Sequence, residues 1–189
     1  RMPEEPLIFV EVALVDGLAG SVQRLLDSRA ETSDPGRANT AIFYSISNCQ
    51  QGLAGISFGN FLIKRVAERL ATEMPNLKTF ATLSPIPGLR SYIDRRLKDE
   101  GDQAMTQNEI GSLVPVISEA HGAAAVRRLL DTPNWWSVPA VDKALCPILT
   151  RLAATYLTSV DEKGRALDRV AHFHLGNGAI VEQLNWLAD

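Results

Sequence analysis

A glycine-rich loop that leads into an amphipathic helix constrains the fold of this sequence more than any other feature. Leu62, Val66 and Leu70 recur every four residues, so their apolar side chains share one face of a helix of about four turns. A β-rich segment precedes the loop at residues 41–46, and another follows the helix at residues 78–83. The order of strand, loop, helix and strand predicts a βαβ unit with a right-handed crossover.

The segment before this unit predicts one more strand. Residues 7–15 are rich in β-branched side chains and apolar on both faces, which is typical of a strand covered on both sides. Ser21 then has the position of an N-cap of a short helix. The polar residues 31–39, which include Pro35 and Gly36, predict an exposed loop.

Helical patterns dominate most of the remaining chain. Thr106 and Glu109 have the spacing of a capping box, which marks a helix N-terminus. Further helices are predicted at residues 121–130 and 141–160. Pro147 lies inside the second of these patterns and is expected to kink or divide that helix.

The last segment predicts a return to β structure. Residues 170–175 alternate in polarity, a Gly-Asn-Gly turn follows, and residues 179–186 have the pattern of a partner strand. Together the elements predict a mixed α/β (α+β) sheet that carries a helical insertion at about residues 90–160. We expect one domain over residues 1–189.

Composition excludes two classes of partner. The 189 residues are 46% hydrophobic and 22% charged, as in globular proteins. The net charge of −3, without a long basic run, excludes an electrostatic surface for nucleic acid. No apolar stretch is long enough to span a bilayer. We therefore expect neither nucleic acid nor a membrane as a partner.

The cysteines and the first residue bear on the origin of the chain. Cys49 and Cys146 alone can form neither a disulfide scaffold nor a zinc site, which favours a reducing compartment such as the cytoplasm. The chain begins with Arg1 rather than with methionine, so we expect a fragment of a longer protein.

The loop at residues 50–59 is the first candidate site. Gly52, Gly55 and Gly59 would let a ligand approach the backbone N–H groups, and the helix that follows adds the positive end of its dipole. These features favour a phosphate or pyrophosphate. The spacing is neither GxGxxG nor GxxxxGK[ST], so a role of the glycines in close packing stays open.

Ser84 is the second candidate, because it follows a predicted strand and precedes Pro85, which restricts its backbone to extended geometry. A hydroxyl on such a stiff loop is well placed to hydrogen-bond a carbonyl oxygen. The alternative is a turn serine that bonds its own backbone. The GxSxG pattern of a hydrolase nucleophile is absent at this position.

His172 and His174 are the third candidate. On a strand their rings would share a face, as in a metal site. The only other histidine is His121, and no carboxylate cluster with ligand spacing accompanies the pair. A proton donor or acceptor beside the Gly-Asn-Gly turn therefore explains a histidine here better than a metal ligand does. A half-buried histidine without a chemical role stays the alternative.

Four segments resemble the catalytic domain of malonyl-CoA decarboxylases. They are AIFYSISNCQQGLAGISFGNFLIKRV, TLSPIPG, HFHLGNGA and NWLAD, and they occur in order over nearly the whole chain. The resemblance implies a sheet of the GCN5-related acetyltransferase (GNAT) type, with part of the domain missing from this chain. It also implies that the glycine loop holds the pyrophosphate of coenzyme A.

The resemblance also implies roles for particular residues. Ser84 and His174 would be catalytic: Ser84 would hydrogen-bond the thioester oxygen as an enolate forms, and His174, oriented with help from Asn177, would protonate carbon. Ser57 departs from the glutamate expected at its position, and relatives often have asparagine at position 172. The substrate-binding residues would be Ala54, Gly55, Ile56, Ser57, Phe58, Gly59, Asn60 and Asn177.

The implied enzyme is a carboxy-lyase of fatty-acid and malonyl-CoA metabolism, which converts malonyl-CoA into acetyl-CoA and CO2. Its coenzyme A thioester is the substrate, so no metal, nicotinamide, biotin or other cofactor is expected. In a eukaryote it would be mitochondrial or peroxisomal. We also expect a homo-oligomer in the complete protein, because the helical insertion has apolar faces.

Two other functions stay open at this point. An acyltransferase that moves an acetyl group from acetyl-CoA to an amine would use the same loop. A non-catalytic interaction module would use the helical insertion as an association surface, and exposure of Trp135 and Trp136 would support it. We expect these two rings to pack in the core.

Overall fold

The computed structural model describes residues 8–29, 34–48, 59–117 and 122–188. They fall into two units, each with its own hydrophobic core. The first unit comprises Arg1–Pro85 with Leu187–Asp189, and the second comprises Ile86–Trp186. The expected single domain with an insertion stays a prediction.

The first unit contains a mixed sheet of three described strands, β1 (Ile8–Val15), β2 (Thr40–Asn48) and β3 (Thr79–Thr82). β2 lies in the middle, antiparallel to β1 and parallel to β3. Helix α2 (Gly59–Glu73) lies between β2 and β3 in the chain. The predicted βαβ unit and the mixed α/β class are therefore confirmed, whereas the GNAT type of the sheet stays a prediction.

One face of this sheet packs against α2. Alternate residues of β2 point to the same face, which explains why Ala41 and Phe43 are both buried there. The apolar stripe of α2 covers them, as its four-residue period predicts. The partly buried residues packed against this core include Val10, Val12, Leu14, Ile63, Val66 and Leu70.

The prediction that β1 is covered on both faces is wrong for its first half. Phe9 is 54% exposed, and Glu11 is exposed as well. These two residues alternate with Val10, which packs on the first core. The first half of β1 is therefore a strand with one buried face and one face in water.

Asn39 connects the end of β1 to the starts of β2 and β3. Its side-chain Oδ1 accepts a hydrogen bond from the Gly17 N–H at 2.8 Å, and its Nδ2 donates to the Asp16 carboxylate. Its carbonyl accepts from the N–H groups of Lys78 and Thr79, at 2.8 and 3.1 Å. One residue thus fixes the relative positions of three strand ends.

The short elements between β1 and β2 agree with the predictions from the sequence. Ser21 caps α1 (Val22–Leu25), as predicted, and its side chain accepts a hydrogen bond from the Arg24 N–H. Pro35–Arg37 forms one turn of 3-10 helix, and residues 34–37 are exposed, as expected for a loop.

The second unit is helical. Its core is built from fully buried side chains such as Leu113, Val126, Leu145, Ile148 and Leu152. No helix among the described residues is both long and apolar enough to cross a membrane. The helices of this unit are α3 (Leu89–Glu100), α4 (Gln107–Leu113), α5 (Gly122–Asp131), α6 (Pro139–Thr158) and α7 (Arg169–Gly176).

The predicted capping box is present at the start of α4. The Glu109 N–H donates to Thr106 Oγ1 at 3.2 Å, and the Thr106 N–H donates to Glu109 Oε2 at 2.7 Å. Arg151 of α6 binds both carboxylate oxygens of Glu109, at 2.7 and 2.9 Å. The cap therefore also joins α4 to α6.

Helix α6 runs unbroken through Pro147, so of the two expected effects the division is wrong and the kink stays a prediction. A proline inside a helix removes one hydrogen bond and crowds the preceding turn. The buried residues Leu145 and Ile148 flank it and hold both halves of the helix in the core. Tertiary packing thus overrides the local preference of proline.

The predicted hairpin at the end of the second unit is also wrong. Residues 169–176 form helix α7, and residues 179–186 form no strand. Asp168 caps the first turn of α7, and this local hydrogen bonding favours helix over extended backbone. Gly178, at φ 85°, lies in the left-handed region just after the helix.

The two tryptophans differ in environment. Trp135 is half-buried and packs against the core of the second unit, as expected. Trp136 is 50% exposed, so the expected core packing is wrong for this ring. The two rings meet edge to face, with centroids 5.8 Å apart.

Candidate active site

Ser84 lies two residues beyond the end of β3 and is exposed. Its Oγ donates a hydrogen bond to Thr82 Oγ1 at 3.0 Å. The Leu83 N–H donates to the Phe43 carbonyl at 3.0 Å, which extends the pairing with β2 up to the neighbour of Ser84. The structure therefore places the hydroxyl at a strand end, as the sequence predicts.

The carboxyl ends of β2 and β3 lie at the same edge of the sheet, because the two strands are parallel. In open α/β sheets, ligands bind in the crevice outside this edge. The loop that follows β2 holds most of the predicted substrate-binding residues. Ala54, Gly55, Ile56, Ser57 and Phe58 lie outside the described residues.

Gly59 and Asn60 are the first two residues of α2. The described part of α2 begins with them, directly after residues 49–58, which lie outside the described residues. The phosphate site at the start of this helix stays a prediction.

The sequence predicts that His174 lies on a strand, and this is wrong. It lies in the last turn of helix α7. It is half-buried, and the Phe173 ring meets its imidazole edge to face with centroids 5.0 Å apart. Burial lowers the pKa of His174 below its usual value, because the charged imidazolium loses hydration. The ring is therefore predominantly neutral near pH 7.

His172 and His174 do not share a face. Residues two apart on a helix point about 200° from one another, and His172 is exposed whereas His174 is half-buried. The shared strand face on which the metal alternative depended is therefore absent. Over the described residues, which do not include His121, no group of three or more His, Cys, Asp or Glu could hold a metal ion.

Asn177 forms the C-cap of α7 and is close to His174. Its Nδ2 donates to the Phe173 carbonyl at 2.7 Å, and its N–H donates to the His174 carbonyl at 3.0 Å. The backbone of Asn177, with φ −100°, is not left-handed. The left-handed residue of this turn is Gly178, with φ 85°. Asn177 therefore acts on the backbone around His174.

Asp168 is a residue that the sequence analysis missed. It is 1% exposed, and its Oδ1 accepts hydrogen bonds from the Val170 and Ala171 N–H groups at 3.0 and 2.9 Å. The signal was present, because an aspartate directly before apolar residues at helical spacing is an N-cap pattern. The alternating polarity of residues 170–175 favoured a strand instead, and a strand has no N-cap.

The candidate residues are divided between the two units. Ser84 and the start of α2 belong to the first unit, whereas His174 and Asn177 belong to the second. Within the second unit, the structure brings Asn177 to His174. Each unit therefore contains one of the two candidate catalytic groups, a hydroxyl in the first and an imidazole in the second.

The whole chain, residues 1–189, matches the family model described as the malonyl-CoA decarboxylase C-terminal domain. The chain belongs to the malonyl-CoA decarboxylase family. The resemblance carried by the four segments is thus confirmed at the level of the family.

Malonyl-CoA decarboxylases from vertebrates align with the full chain. The mitochondrial malonyl-CoA decarboxylase of Anser anser anser is 37% identical over 194 residues, which cover 100% of this chain and 38% of the goose protein. That of Rattus norvegicus is 36% identical over 195 residues, covering 99% of this chain and 39% of the rat protein. The chain therefore spans about two fifths of the length of these relatives.

Solved structures of bacterial malonyl-CoA decarboxylases share the fold. The protein of Rhodopseudomonas palustris matches 97% of this chain with a TM-score of 0.76 and 45% identity, over 39% of its own length. That of Agrobacterium vitis matches 97% with a TM-score of 0.78 and 43% identity, over 42% of its own length.

Proposed function

We propose that this chain is part of a malonyl-CoA decarboxylase, a carboxy-lyase that converts malonyl-CoA into acetyl-CoA and CO2. The observation that carries the proposal is the match of all 189 residues to the C-terminal domain of this family. The exposed hydroxyl of Ser84 and the half-buried imidazole of His174 supply the two kinds of group that the reaction needs.

The reaction requires stabilisation of one negative charge. When the bond between the α-carbon and the carboxylate breaks, its electron pair moves toward the thioester carbonyl and CO2 leaves, which gives an enolate. We propose that Ser84 donates its hydroxyl proton in a hydrogen bond to the enolate oxygen, in place of its bond to Thr82. One such preorganised donor contributes about 3 kcal/mol.

The enolate must then receive a proton on carbon. We propose that His174 delivers it from the imidazolium form, which is the minor form near pH 7, and is left as the neutral ring that burial favours. The lowered pKa makes the imidazolium a stronger acid, and solvent returns the proton afterwards. General acid catalysis of this kind contributes roughly 10²- to 10⁴-fold to the rate.

Coenzyme A would be bound on the side of the first unit. We propose that residues 54–60 hold its pyrophosphate and the malonyl group, with the N-terminus of α2 at Gly59 facing the negative charge. We propose no further cofactor, because the thioester carbonyl itself accepts the electron pair.

We also propose that the complete protein is a homo-oligomer, which is cytoplasmic in a bacterium and mitochondrial or peroxisomal in a eukaryote. The exposed apolar side chains of Trp136 and Val138, two residues apart in the second unit, are suited to a subunit contact. Light scattering of the full-length protein would measure its oligomeric state.

The test uses S84A and H174A in the full-length protein, with conversion of malonyl-CoA to acetyl-CoA as the readout. We expect kcat to fall roughly 10²- to 10³-fold for S84A and 10²- to 10⁴-fold for H174A, with coenzyme A binding retained. H172A, on the exposed face of the same helix, is the control.

Near-normal turnover of both variants would refute the assigned roles. A wild-type protein that binds coenzyme A and acetylates amines, but leaves malonyl-CoA intact, would be an acyltransferase instead.

A further inference from the structure

The helix that carries His174 is too short to be stable by itself. α7 has eight residues, about two turns, and isolated helices below about 12 residues are marginal in water. Its direction, and with it the direction of the imidazole, therefore depends on the packing of its buried residue Ala171 and on what holds its ends.

The side chain of Asp168 holds the first end. Its Oδ1 accepts two backbone hydrogen bonds, from Val170 and Ala171, which satisfy two of the N–H groups that a helix start leaves without partners. Ala171 and His174 are three residues apart and so lie on one face of α7. The bond to the Ala171 N–H thus anchors the face of the helix that bears His174.

Asp168 is itself held in place by the segment before it. The Leu167 N–H donates to the Ser159 carbonyl at 3.0 Å, directly after the end of α6. Between them, Asp161 accepts from the backbone and side chain of Arg165, at 2.9 and 2.8 Å. A closed turn therefore connects the end of α6, a core helix of the second unit, to Asp168.

The burial of Asp168 indicates a fixed side chain. At 1% exposure, its Oδ2 has no hydrogen-bond partner among the described residues. A buried carboxylate with one unpaired oxygen carries a desolvation penalty, although the helix dipole and two N–H groups offset part of it. Close packing holds an enclosed side chain of this kind in one rotamer on average, so the Asp168 carboxylate stays at the first turn of α7.

We propose that Asp168 is a positioning residue, which holds the first turn of α7 and thereby sets the direction in which His174 presents its imidazole. The proposal rests on the proposed function, in which His174 protonates the enolate. Asp168 acts through the helix and does not touch the substrate.

The experiment compares the loss of two helix caps in the full-length protein. D168A removes the cap of α7, and T106A removes the cap of α4 in the same unit, which carries no candidate catalytic residue. D168N retains a side-chain oxygen that can accept the same two N–H groups. For each variant, kcat and KM for malonyl-CoA are measured together with the thermal midpoint.

We expect D168A to lower kcat about 10- to 100-fold, because small displacements of a catalytic group have effects of this size. KM should change less than about twofold, since substrate contacts remain. T106A should lower the thermal midpoint without lowering kcat, and D168N should keep kcat within about threefold of the parent, because asparagine is an equally good N-cap.

Several results would overturn the proposal: a folded D168A with normal kcat, loss of kcat in T106A as large as in D168A, or loss of kcat in a folded D168N. If D168A does not fold, D168N decides, and failure of both to fold would assign Asp168 to folding alone. Normal turnover of H174A would instead refute the proposed function. An inactive H174A beside a fully active D168A would refute only the positioning role.

Discussion

The segment that carries Ser84 is held by a sheet, whereas the segment that carries His174 is held by the ends of a short helix. Leu83, beside Ser84, bonds across to Phe43 of β2, and Phe43 is 2% exposed in the first core. Around His174 the comparable restraints are a carboxylate, Asp168, and an amide, Asn177. Apolar contacts of a core support the segment of Ser84, whereas hydrogen bonds of two polar side chains contribute to holding the segment of His174.

This difference predicts which substitutions should displace each of the two side chains. Ser84 should be displaced by changes to apolar core residues far from it in sequence. His174 should be displaced by single polar substitutions within a few residues. Three further experiments separate these two modes of support.

The largest effect is expected for Phe43. F43A removes a buried ring of β2, at the residue that pairs with Thr82 of β3. It should lower the free energy of unfolding by about 3–5 kcal/mol, because burial is lost and a cavity remains. F9A, at an exposed ring on the neighbouring strand, is the matched control and should stay within about 1 kcal/mol. Urea unfolding measures both. Equal effects of the two variants would show that the first core does not support the Ser84 segment.

A smaller effect is expected at Gly88, which precedes α3. A Cβ there would overlap the Tyr156 hydroxyl, whose ring stacks on Tyr92 with centroids 4.7 Å apart. The backbone at Gly88 has φ −86° and tolerates alanine, so the penalty is steric. G88A should lower the free energy of unfolding by about 1–3 kcal/mol.

The double variant G88A/Y156F tests the cause. Removing the hydroxyl takes away the overlapping atom. G88A should therefore lower the free energy of unfolding less in the Y156F variant than in the parent protein. An equal loss of unfolding free energy in both proteins would mean that the Tyr156 hydroxyl is not the cause of the steric penalty.

The smallest effect concerns pH. Burial lowers the pKa of His174 in the folded protein, so the unfolded chain takes up a proton at higher pH than the folded one. The free energy of unfolding should therefore fall as the pH drops from about 6.5 toward the lower folded pKa.

H174Q should show a shallower fall over this pH range than the parent, as measured by urea unfolding at pH 7.5 and at successively lower values. H172Q, at the exposed ring of the same helix, is the matched control variant. An unchanged slope in H174Q would mean that the imidazole is as hydrated in the folded protein as in the unfolded chain.

The βαβ unit could be predicted because several signals agree over a long stretch. The stripe of Leu62, Val66 and Leu70 lies on one face of a helix of about four turns, and β-rich segments flank that helix on both sides. The strand end before Ser84 follows from the same signals. Each local preference there matches the fold that tertiary packing selects.

The end of the second unit could not be predicted from alternation. A segment as short as residues 170–175 fits a period of two and a helix of two turns equally well. The hydrogen bonds of Asp168 decide between them, because they satisfy the first N–H groups of the helix. The unbroken α6 is a similar case, since burial on both sides of Pro147 outweighs its local effect.

A bulge lies between Glu11 and Val12 in the pairing of β1 with β2. Of the described strands only β2 pairs with β1, and Glu11 is exposed just where the regular spacing is interrupted. The register passes from Glu11 with Ser45 to Val12 with Phe43, so the extra residue of the bulge is Tyr44 on β2. A bulge bends its strand and increases the local twist, and side chains alternate along a strand. Deleting Tyr44 would therefore turn the side chains on one side of it to the opposite face of the sheet.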